Sequence, residues 1–169
     1  MSESRSRFES SLDDLGVTVS RTDEGALPAT IDDAITQPAV GASLGLDGEP
    51  LAETAVDVDP TPAALREATT GVTAAGLAVA DYGSLVLTMD DRGSELVGLF
   101  VAEHVVVLRE SDLLSDMDAT IDTLERRITD ASESAILATG PSATADMGEL
   151  VLGAHGPKDV HLVVIGEGE

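Results

Sequence analysis

The chain has 169 residues, with 32 Asp and Glu against nine Lys and Arg, so its formal net charge is −23 at neutral pH. A chain this acidic repels a phosphate backbone, which disfavours DNA and RNA as partners. It contains no cysteine, which excludes disulfides and cysteine-ligated zinc or iron–sulfur centres within the chain itself.

The acidic residues are spread from Glu3 to Glu169, and Lys158 is the single lysine of the sequence. This pattern resembles the composition of proteins from salt-accumulating halophiles, in which carboxylates hydrate the surface and strong screening removes self-repulsion. The alternative, an acidic surface evolved for one basic partner, predicts a local acidic block, which the sequence lacks. We therefore expect molar KCl to stabilise the protein.

Length and hydrophobic content predict one folded domain over residues 1–169, because 43% of the residues are hydrophobic and they fall in short apolar runs. The opening residues MSESRSRFES contain no apolar signal region. No apolar stretch approaches the roughly 20 residues that span a bilayer. These features predict a cytoplasmic protein without a membrane span.

In the first part of the chain, Phe8, Leu12 and Leu15 recur at helical spacing and predict an amphipathic helix that ends at Gly16. The other elements predicted there are a helix at 28–35, a strand at 39–44, a surface loop at 45–62 and a helix at 63–68 introduced by Pro60 and Pro62.

Five short apolar runs in the second part predict buried strands at 85–89, 96–101, 104–108, 135–139 and 161–165. Apolar residues at helical spacing mark one face of a long helix: Leu113, Leu114, Met117, Ile121, Leu124 and Ile128. Ser111 is the predicted N-cap of this helix, and Arg126 and Arg127 suit its C-terminal end. Strands that are apolar on both faces and alternate with helices predict an α/β domain with a largely parallel sheet flanked by helices.

The first candidate site lies at Gly140-Pro141-Ser142, where a predicted strand ends and a helix is predicted to begin near Thr144. Backbone N–H groups at such a junction, with the hydroxyls of Ser142 and Thr144, predict an anion site. In the alternative interpretation these residues only cap the helix, and Asp146 only compensates its dipole.

A glycine-rich turn from Gly153 to Pro157 carries His155 and Gly156 into the last strand. An imidazole in such a turn suits acid–base chemistry or anion binding, although a lone turn histidine also serves as a local hydrogen-bonding group. His161 begins a strand and is interpreted as structural. The sequence has no H-x-x-x-H or H-x-H pair, so we predict no metal site.

A second cluster joins Gly71-Val72-Thr73 to a turn at residues 80–84. Gly83 permits a tight turn, and Asp81 and Ser84 are placed to contact a ligand, unless the segment is an ordinary turn. Common nucleotide-binding and hydrolase motifs are absent.

These clusters, in this order, resemble the LUD (lactate utilisation) domain family, and within it the short, cysteine-free lactate-utilisation protein C branch. The resemblance rests on Gly71-Val72-Thr73, the turn at 80–84, the strand from His104 to Val107, and the C-terminal G-P-S-x-T-A-D and G-x-H-G-P patterns with His161. It covers residues 71–165, while residues 1–60 match more loosely.

The resemblance implies a fold similar to the NagB/RpiA/CoA-transferase-like group and a role in oxidising L-lactate to pyruvate. It implies cysteine-rich and iron–sulfur partner proteins, with no cofactor in this chain. The alternative is an independent enzyme or ligand-binding domain for an anionic carboxylate, sugar phosphate or CoA ester. In that case Asp81, His104 or His155 handles protons. The predicted ligand-binding residues are Gly83, Ser84, Gly140, Ser142, Thr144, Asp146 and Gly156.

Overall fold

The structure is a computed structural model that describes residues 2–88, 94–131 and 134–166. Within these residues the helices are α1 (Ser2–Asp14), α2 (Leu27–Ala34), α3 (Pro62–Glu67), α4 (Ser94–Leu99) and α5 (Met117–Ala131). The strands are β1 (Thr18–Thr22), β2 (Ala39–Gly41), β3 (Thr70–Ala74), β4 (Leu77–Val79), β5 (Ser84–Thr88), β6 (Glu103–Arg109), β7 (Leu113–Leu114), β8 (Ala135–Thr139), β9 (Ala143–Asp146), β10 (Glu149–Leu152) and β11 (Asp159–Ile165). None of the described helices is long and apolar enough to cross a membrane.

Five strands form an entirely parallel sheet, called the main sheet below, in the order β1-β11-β6-β3-β2. Side chains alternate between its two faces. Val105 and Val107 of β6 share a buried cluster with α2, whereas Val106 and Leu108 share one with α1. Burial of both faces is typical of parallel sheets, and it explains the continuous apolar runs. The predicted α/β class, with a parallel sheet flanked by helices, is confirmed.

A second sheet, of order β7-β4-β5-β8, contributes to the same buried cluster as α1. Its strand β5 pairs antiparallel with both β4 and β8. The predicted runs 85–89 and 135–139 are therefore strands, but they belong to this mixed sheet and not to the parallel one. The turn at 80–83 is too short for the crossover that parallel neighbours need, which explains the antiparallel pairing of β4 and β5. Met89 lies outside the described residues.

The predicted strand at 96–101 is wrong, because residues 94–99 form helix α4. Val97 and Val101, four positions apart, are buried, while Leu96 and Phe100 are exposed. This is helical and not alternating burial. A six-residue apolar run does not distinguish a short helix from a buried strand, which explains the error.

The long predicted helix begins later than expected, at Met117. Leu113 and Leu114 instead form β7, which pairs with β4. Ser111 lies in a 3-10 turn at Glu110–Asp112, and Asp116 caps the helix, since its Oδ1 accepts the Ala119 N–H at 2.9 Å. That hydrogen bond lowers the pKa of Asp116. The side chains of Arg127 and Ile128 lie outside the described part of the chain.

The predicted helix near Thr144 is also wrong. Residues 143–152 form a hairpin in which β9 and β10 pair antiparallel. Both turn residues have positive φ, 49° at Met147 and 84° at Gly148, as in the two-residue turns that suit hairpins. The predicted anion site at residues 140–144 therefore has no helix N-terminus to support it.

The N-terminal predictions hold for the three helices. Helix α1 ends before Gly16, and α2 and α3 lie within about one residue of their predicted bounds. The strand predicted at 39–44 is confined to Ala39–Gly41. The segment predicted as a surface loop, 45–62, is only partly exposed, because Leu51 and Val56 are buried. It also contains a 3-10 turn at Pro50–Glu53.

Candidate functional site

One cleft collects most of the residues that the sequence motifs single out. It lies at the amino-terminal ends of β6 and β11, next to the second sheet, and has a volume of about 320 Å³. The predicted site residues that line it are Gly83, His104, Gly140, Ser142, His155 and Gly156. We call this the motif cleft. Its walls are largely apolar, formed by residues such as Leu12, Leu85 and Val106.

Two turns that are distant in sequence are joined at the rim of the motif cleft. The Ser142 N–H donates to the Pro157 carbonyl at 2.8 Å, and the Gly153 N–H donates to the Ser142 carbonyl at 2.8 Å. A Cβ added to Gly156 would lie 3.1 Å from the Ser142 Cβ. Close approach at Gly156 therefore brings Ser142 and His155 to the same rim, and the β9–β10 hairpin connects the two turns.

Gly83 and Gly140 also line the motif cleft, and both have positive φ, 63° and 69°. An added Cβ would lie 3.0 Å from a Leu15 methyl at Gly83 and 3.2 Å from the Leu15 side chain at Gly140. Backbone conformation and close packing against the end of α1 thus both favour glycine here. The two glycines shape the cleft without offering a side chain to a ligand.

His104 is the buried polar residue of the cleft, with 4% of its surface exposed. Its Nε2 and the Thr73 hydroxyl share a hydrogen bond of 2.8 Å. Burial lowers the pKa of His104 to about 4, so the ring is neutral at neutral pH. A neutral imidazole has one donor and one acceptor nitrogen, and Nε2 is taken by Thr73. Nδ1 is the ring nitrogen left for a ligand.

Helix α4 holds the His104 ring through a residue that the sequence analysis missed. A Cβ added to Gly98 would lie 2.9 Å from His104 Cε1. A Cβ added to Gly71 would lie 2.1 Å from the Val97 carbonyl oxygen, so α4 approaches β3 as closely as glycine permits. The Gly71-Val72-Thr73 motif therefore has two physical roles: it admits α4, and it supplies the hydroxyl that binds His104. The one available sequence signal was a glycine, Gly98, inside an apolar run.

Three predicted site residues, Asp81, Ser84 and Thr144, do not line the motif cleft. Asp81 pairs with Arg7 of α1 at 2.5 Å and so fastens that helix to the second sheet. Ser84 is buried, and its hydroxyl shares a hydrogen bond of 2.7 Å with that of Thr139. Thr144 lies in β9, away from the cleft, and the side chain of Asp146 lies outside the described part of the structure.

The three histidines have different environments. His155 is exposed at the rim of the motif cleft. His161 is half-buried in β11, and its Nε2 shares a 2.8 Å hydrogen bond with the Ser20 hydroxyl, in keeping with the structural role predicted for it. Burial lowers its pKa. Within the described residues, no three His, Asp or Glu side chains are grouped closely enough to hold a metal ion.

Among the described residues, the motif cleft is lined by no acidic side chain, although 32 of the 169 residues of the chain are acidic. Three other clefts each include acidic residues. A cleft of about 300 Å³ includes Asp112, one of about 450 Å³ includes Asp23 and Glu24, and one of about 550 Å³ includes Glu49 and Asp59. Two imidazoles and a hydroxyl thus face a space that no described carboxylate lines, which suits a small ligand with an anionic end and an apolar end.

The 300 and 450 Å³ clefts lie at the opposite, carboxyl-terminal end of the main sheet, and Arg109 at the end of β6 lines both. We call them the Arg109 clefts. Ligands of open α/β sheets gather at this end of the strands. Here, however, Arg109 is paired with Glu24 at 2.8 Å.

Comparison with known proteins agrees with this fold. The chain is similar to a crystal structure of a DUF162 family protein from Deinococcus radiodurans, with a TM-score of 0.77 and 21% identity over 98% of each chain. No curated protein matches the chain. The family model described as the LUD domain matches residues 9–165, which include the N-terminal part that the motifs covered only loosely. The chain therefore belongs to the LUD domain family.

Proposed function

We propose that this protein acts in lactate utilisation by binding a small carboxylate, L-lactate or its oxidation product pyruvate, in the motif cleft. The observation that carries the proposal is that no acidic side chain of the described residues lines a cleft that holds His104, Ser142 and His155. In a chain of net charge −23, such a cleft offers an anion less repulsion than the clefts that include Asp or Glu. The apolar walls suit the methyl group that both acids carry.

The size of the motif cleft supports a small ligand. Its volume of about 320 Å³ lies at the lower end of the roughly 300–1,000 Å³ typical of small-molecule sites. A three-carbon acid fits this space more readily than a CoA ester does. Ser142 and His155 at the rim are the groups we assign to the carboxylate, and His104, deeper in the cleft, is assigned to the group on the second carbon.

The proposal places the electron transfer elsewhere. The chain has no cysteine, so we propose that cysteine-rich and iron–sulfur proteins act with it, as expected for the lactate-utilisation protein C branch. Affinity purification in molar KCl from lactate-grown cells tests this part. Recovery of cysteine-rich iron–sulfur proteins is the expected result, and recovery of the protein alone would contradict it.

Thermal unfolding in molar KCl tests ligand binding directly. A ligand at about one hundred times its Kd stabilises the folded state by about 2.7 kcal/mol, which corresponds to a Tm increase of roughly 5–10 °C for a chain of this size. We expect this response to L-lactate or pyruvate. Stabilisation by a sugar phosphate or CoA instead would favour the alternative, an independent domain for a larger anion. No response to any of them would contradict a ligand site.

A matched pair of serine variants locates the response. Ser142→Ala removes a hydroxyl from the motif cleft, whereas Ser43→Ala removes one from the Arg109 cleft of about 300 Å³. We expect Ser142→Ala to weaken carboxylate binding about tenfold, as loss of a hydrogen bond to a charged group does. Ser43→Ala should leave binding unchanged. The reverse result would place the ligand at the other end of the sheet.

A further inference from the structure

The segment 45–62, which the sequence predicts to be a surface loop, is fixed to the body of the domain. Two backbone hydrogen bonds join Asp57 to the edge strand β2: the Gly41 N–H donates to the Asp57 carbonyl at 2.8 Å, and the Asp57 N–H donates to the Ala39 carbonyl at 3.0 Å. Leu51 is buried in the same cluster as residues of α2. The segment therefore forms a fixed wall beside β2, and the space that it borders is preformed.

That wall, together with α3 and α4, borders a cleft of about 550 Å³, which we call the β2 cleft. Its volume lies within the roughly 300–1,000 Å³ typical of small-molecule sites. Leu51, Leu65 and Val97 contribute to its largely apolar walls. Val58 and Leu96 also line it, and they are 46% and 42% exposed. The β2 cleft thus presents apolar surface to water, and a ligand with an apolar part gains free energy by covering it.

The charged side chains that line the β2 cleft are all negative. They belong to Glu49 and Asp59, and none of the described lining residues is basic. Neither carboxylate forms a hydrogen bond or an ion pair within the described part of the chain, whereas Glu24 in an Arg109 cleft is paired with Arg109. A cationic group in the β2 cleft therefore meets two carboxylates and no competing base among the described residues.

The chemistry of these walls selects the kind of cation. Ionised carboxylates only accept hydrogen bonds, so the cation should carry N–H donors, and charge-assisted hydrogen bonds of this type are strong. A quaternary ammonium has no such donor and is recognised by aromatic faces, but no aromatic side chain of the described residues lines the cleft. An amino acid is disfavoured as well, because its own carboxylate would be repelled. The apolar walls exclude a bare inorganic cation as the best fit.

We infer that the β2 cleft is a binding site for a primary amine with an apolar body, and that its ammonium group pairs with the carboxylates of Glu49 and Asp59. No described residue lines both the β2 cleft and the motif cleft. The amine and the proposed carboxylate therefore bind at separate places, and the inference does not depend on lactate binding.

Titration calorimetry with hexylamine, at pH 7 and in molar KCl, tests the ligand class. The amine is charged at this pH, and the salt screens general attraction to the acidic surface. Four probes change one property each: hexanol lacks the charge, hexanoate reverses it, methylamine lacks the apolar body and hexyltrimethylammonium lacks the N–H donors. Hexylamine should bind saturably and at least tenfold more tightly than each of them. No binding of hexylamine, or binding of methylamine or hexanol that is equally tight, would overturn the inference.

Variants of the acidic residues locate the amine. Glu49→Gln and Asp59→Asn should each raise the Kd for hexylamine about tenfold, as loss of a charge-assisted hydrogen bond does. Glu53→Gln is the matched control, because Glu53 belongs to the same 3-10 turn but does not line the cleft. It should leave the Kd unchanged. An equal effect of Glu53→Gln and Glu49→Gln would show general attraction to the acidic surface and would overturn the site.

Titration of the same variants with L-lactate separates this inference from the proposed function. The variants should bind L-lactate as the natural protein does. If no variant and not the natural protein binds L-lactate while hexylamine binds as expected, the proposed function fails and the amine site is supported. If L-lactate binds and hexylamine does not, the amine site alone fails.

Discussion

The amino-terminal end of the main sheet carries the motif cleft, and the carboxyl-terminal end carries the Arg109 clefts. At the carboxyl-terminal end, Arg109 of those clefts pairs with Glu24, and Asp23 and Asp112 also line them. At the amino-terminal end, His104 and Ser142 face a space that no carboxylate of the described residues lines. The general rule for open α/β sheets favours the carboxyl-terminal end. The distribution of charge in this molecule instead favours the amino-terminal end as the place for an anionic ligand.

The difference shows that topology alone does not locate a site. The motif cleft depends on the second sheet and on the turns at Gly83, Gly140 and Gly156, which lie outside the main sheet. These additions turn the amino-terminal ends of β6 and β11 into a concave surface. Experiments that separate the two ends of the sheet are therefore the strongest tests of the assignment.

The largest expected effect is that of salt on the Tm, and it does not distinguish the two ends of the main sheet. Molar KCl should raise the Tm above its value in 50 mM salt by on the order of 10 °C or more, because screening weakens the repulsion among surface carboxylates. Thermal unfolding followed by circular dichroism measures this. Equal Tm values in the two buffers would refute the halophilic interpretation of the charge. This measurement comes first, because binding at the two ends of the main sheet has to be compared at a salt concentration at which the protein is folded.

The next largest effect is that of pH on stability, and it arises from His104 at the amino-terminal end of the main sheet. Burial lowers the pKa of His104 from 6.5 to about 4, so the unfolded chain binds more protons than the folded one between these values. The free energy of unfolding should therefore rise with pH across this window. The contribution, about 3 kcal/mol, is complete above pH 6.5 and is lost as the pH falls toward 4.

Denaturant unfolding of the natural protein and of His104→Gln from pH 4 to 7, at constant high salt, checks this prediction. The titration of surface carboxylates and of His161 is common to both proteins and cancels in the difference. The natural protein should lose about 3 kcal/mol more than the variant on acidification. Parallel curves would mean that His104 is not buried in its neutral form.

A pair of glycine variants compares the packing at the two ends. Gly71→Ala should destabilise the protein by about 2–3 kcal/mol, because the new methyl would meet the Val97 carbonyl. Gly166→Ala, at the rim of an Arg109 cleft, meets no described atom closer than 3.8 Å and should change stability little. Denaturant unfolding of the two variants measures the contrast. Equal stabilities would show that α4 does not lie against β3 as described.

The sequence predicts the elements whose periodicity is unambiguous. Helix α1, with Phe8 and Leu12 on one face, and the central strands β6 and β11 are correctly predicted. The errors at 96–101 and near Thr144 occur where local pattern underdetermines structure. A short apolar run suits a helix or a strand, and the turn at Met147 and Gly148 has no apolar periodicity to mark it.

The candidate site is only partly predictable from sequence. The motifs correctly group His104, Ser142 and His155. Asp81, however, pairs with Arg7, which is 74 residues away in the sequence, and does not line the cleft. The close approach of Gly98 to the His104 ring depends on the packing of α4, a segment that the sequence predicted as a strand.

The central claim, that the motif cleft and not the Arg109 clefts binds the carboxylate, is tested most directly by NMR mapping. Isotope-labelled protein is titrated with L-lactate in molar KCl, and backbone and histidine-ring signals are followed. Saturable shifts at His104, Ser142 and His155, with none at Arg109, are the predicted result. Saturable shifts centred on Arg109 and Ser43, with the motif cleft unaffected, would contradict the assignment.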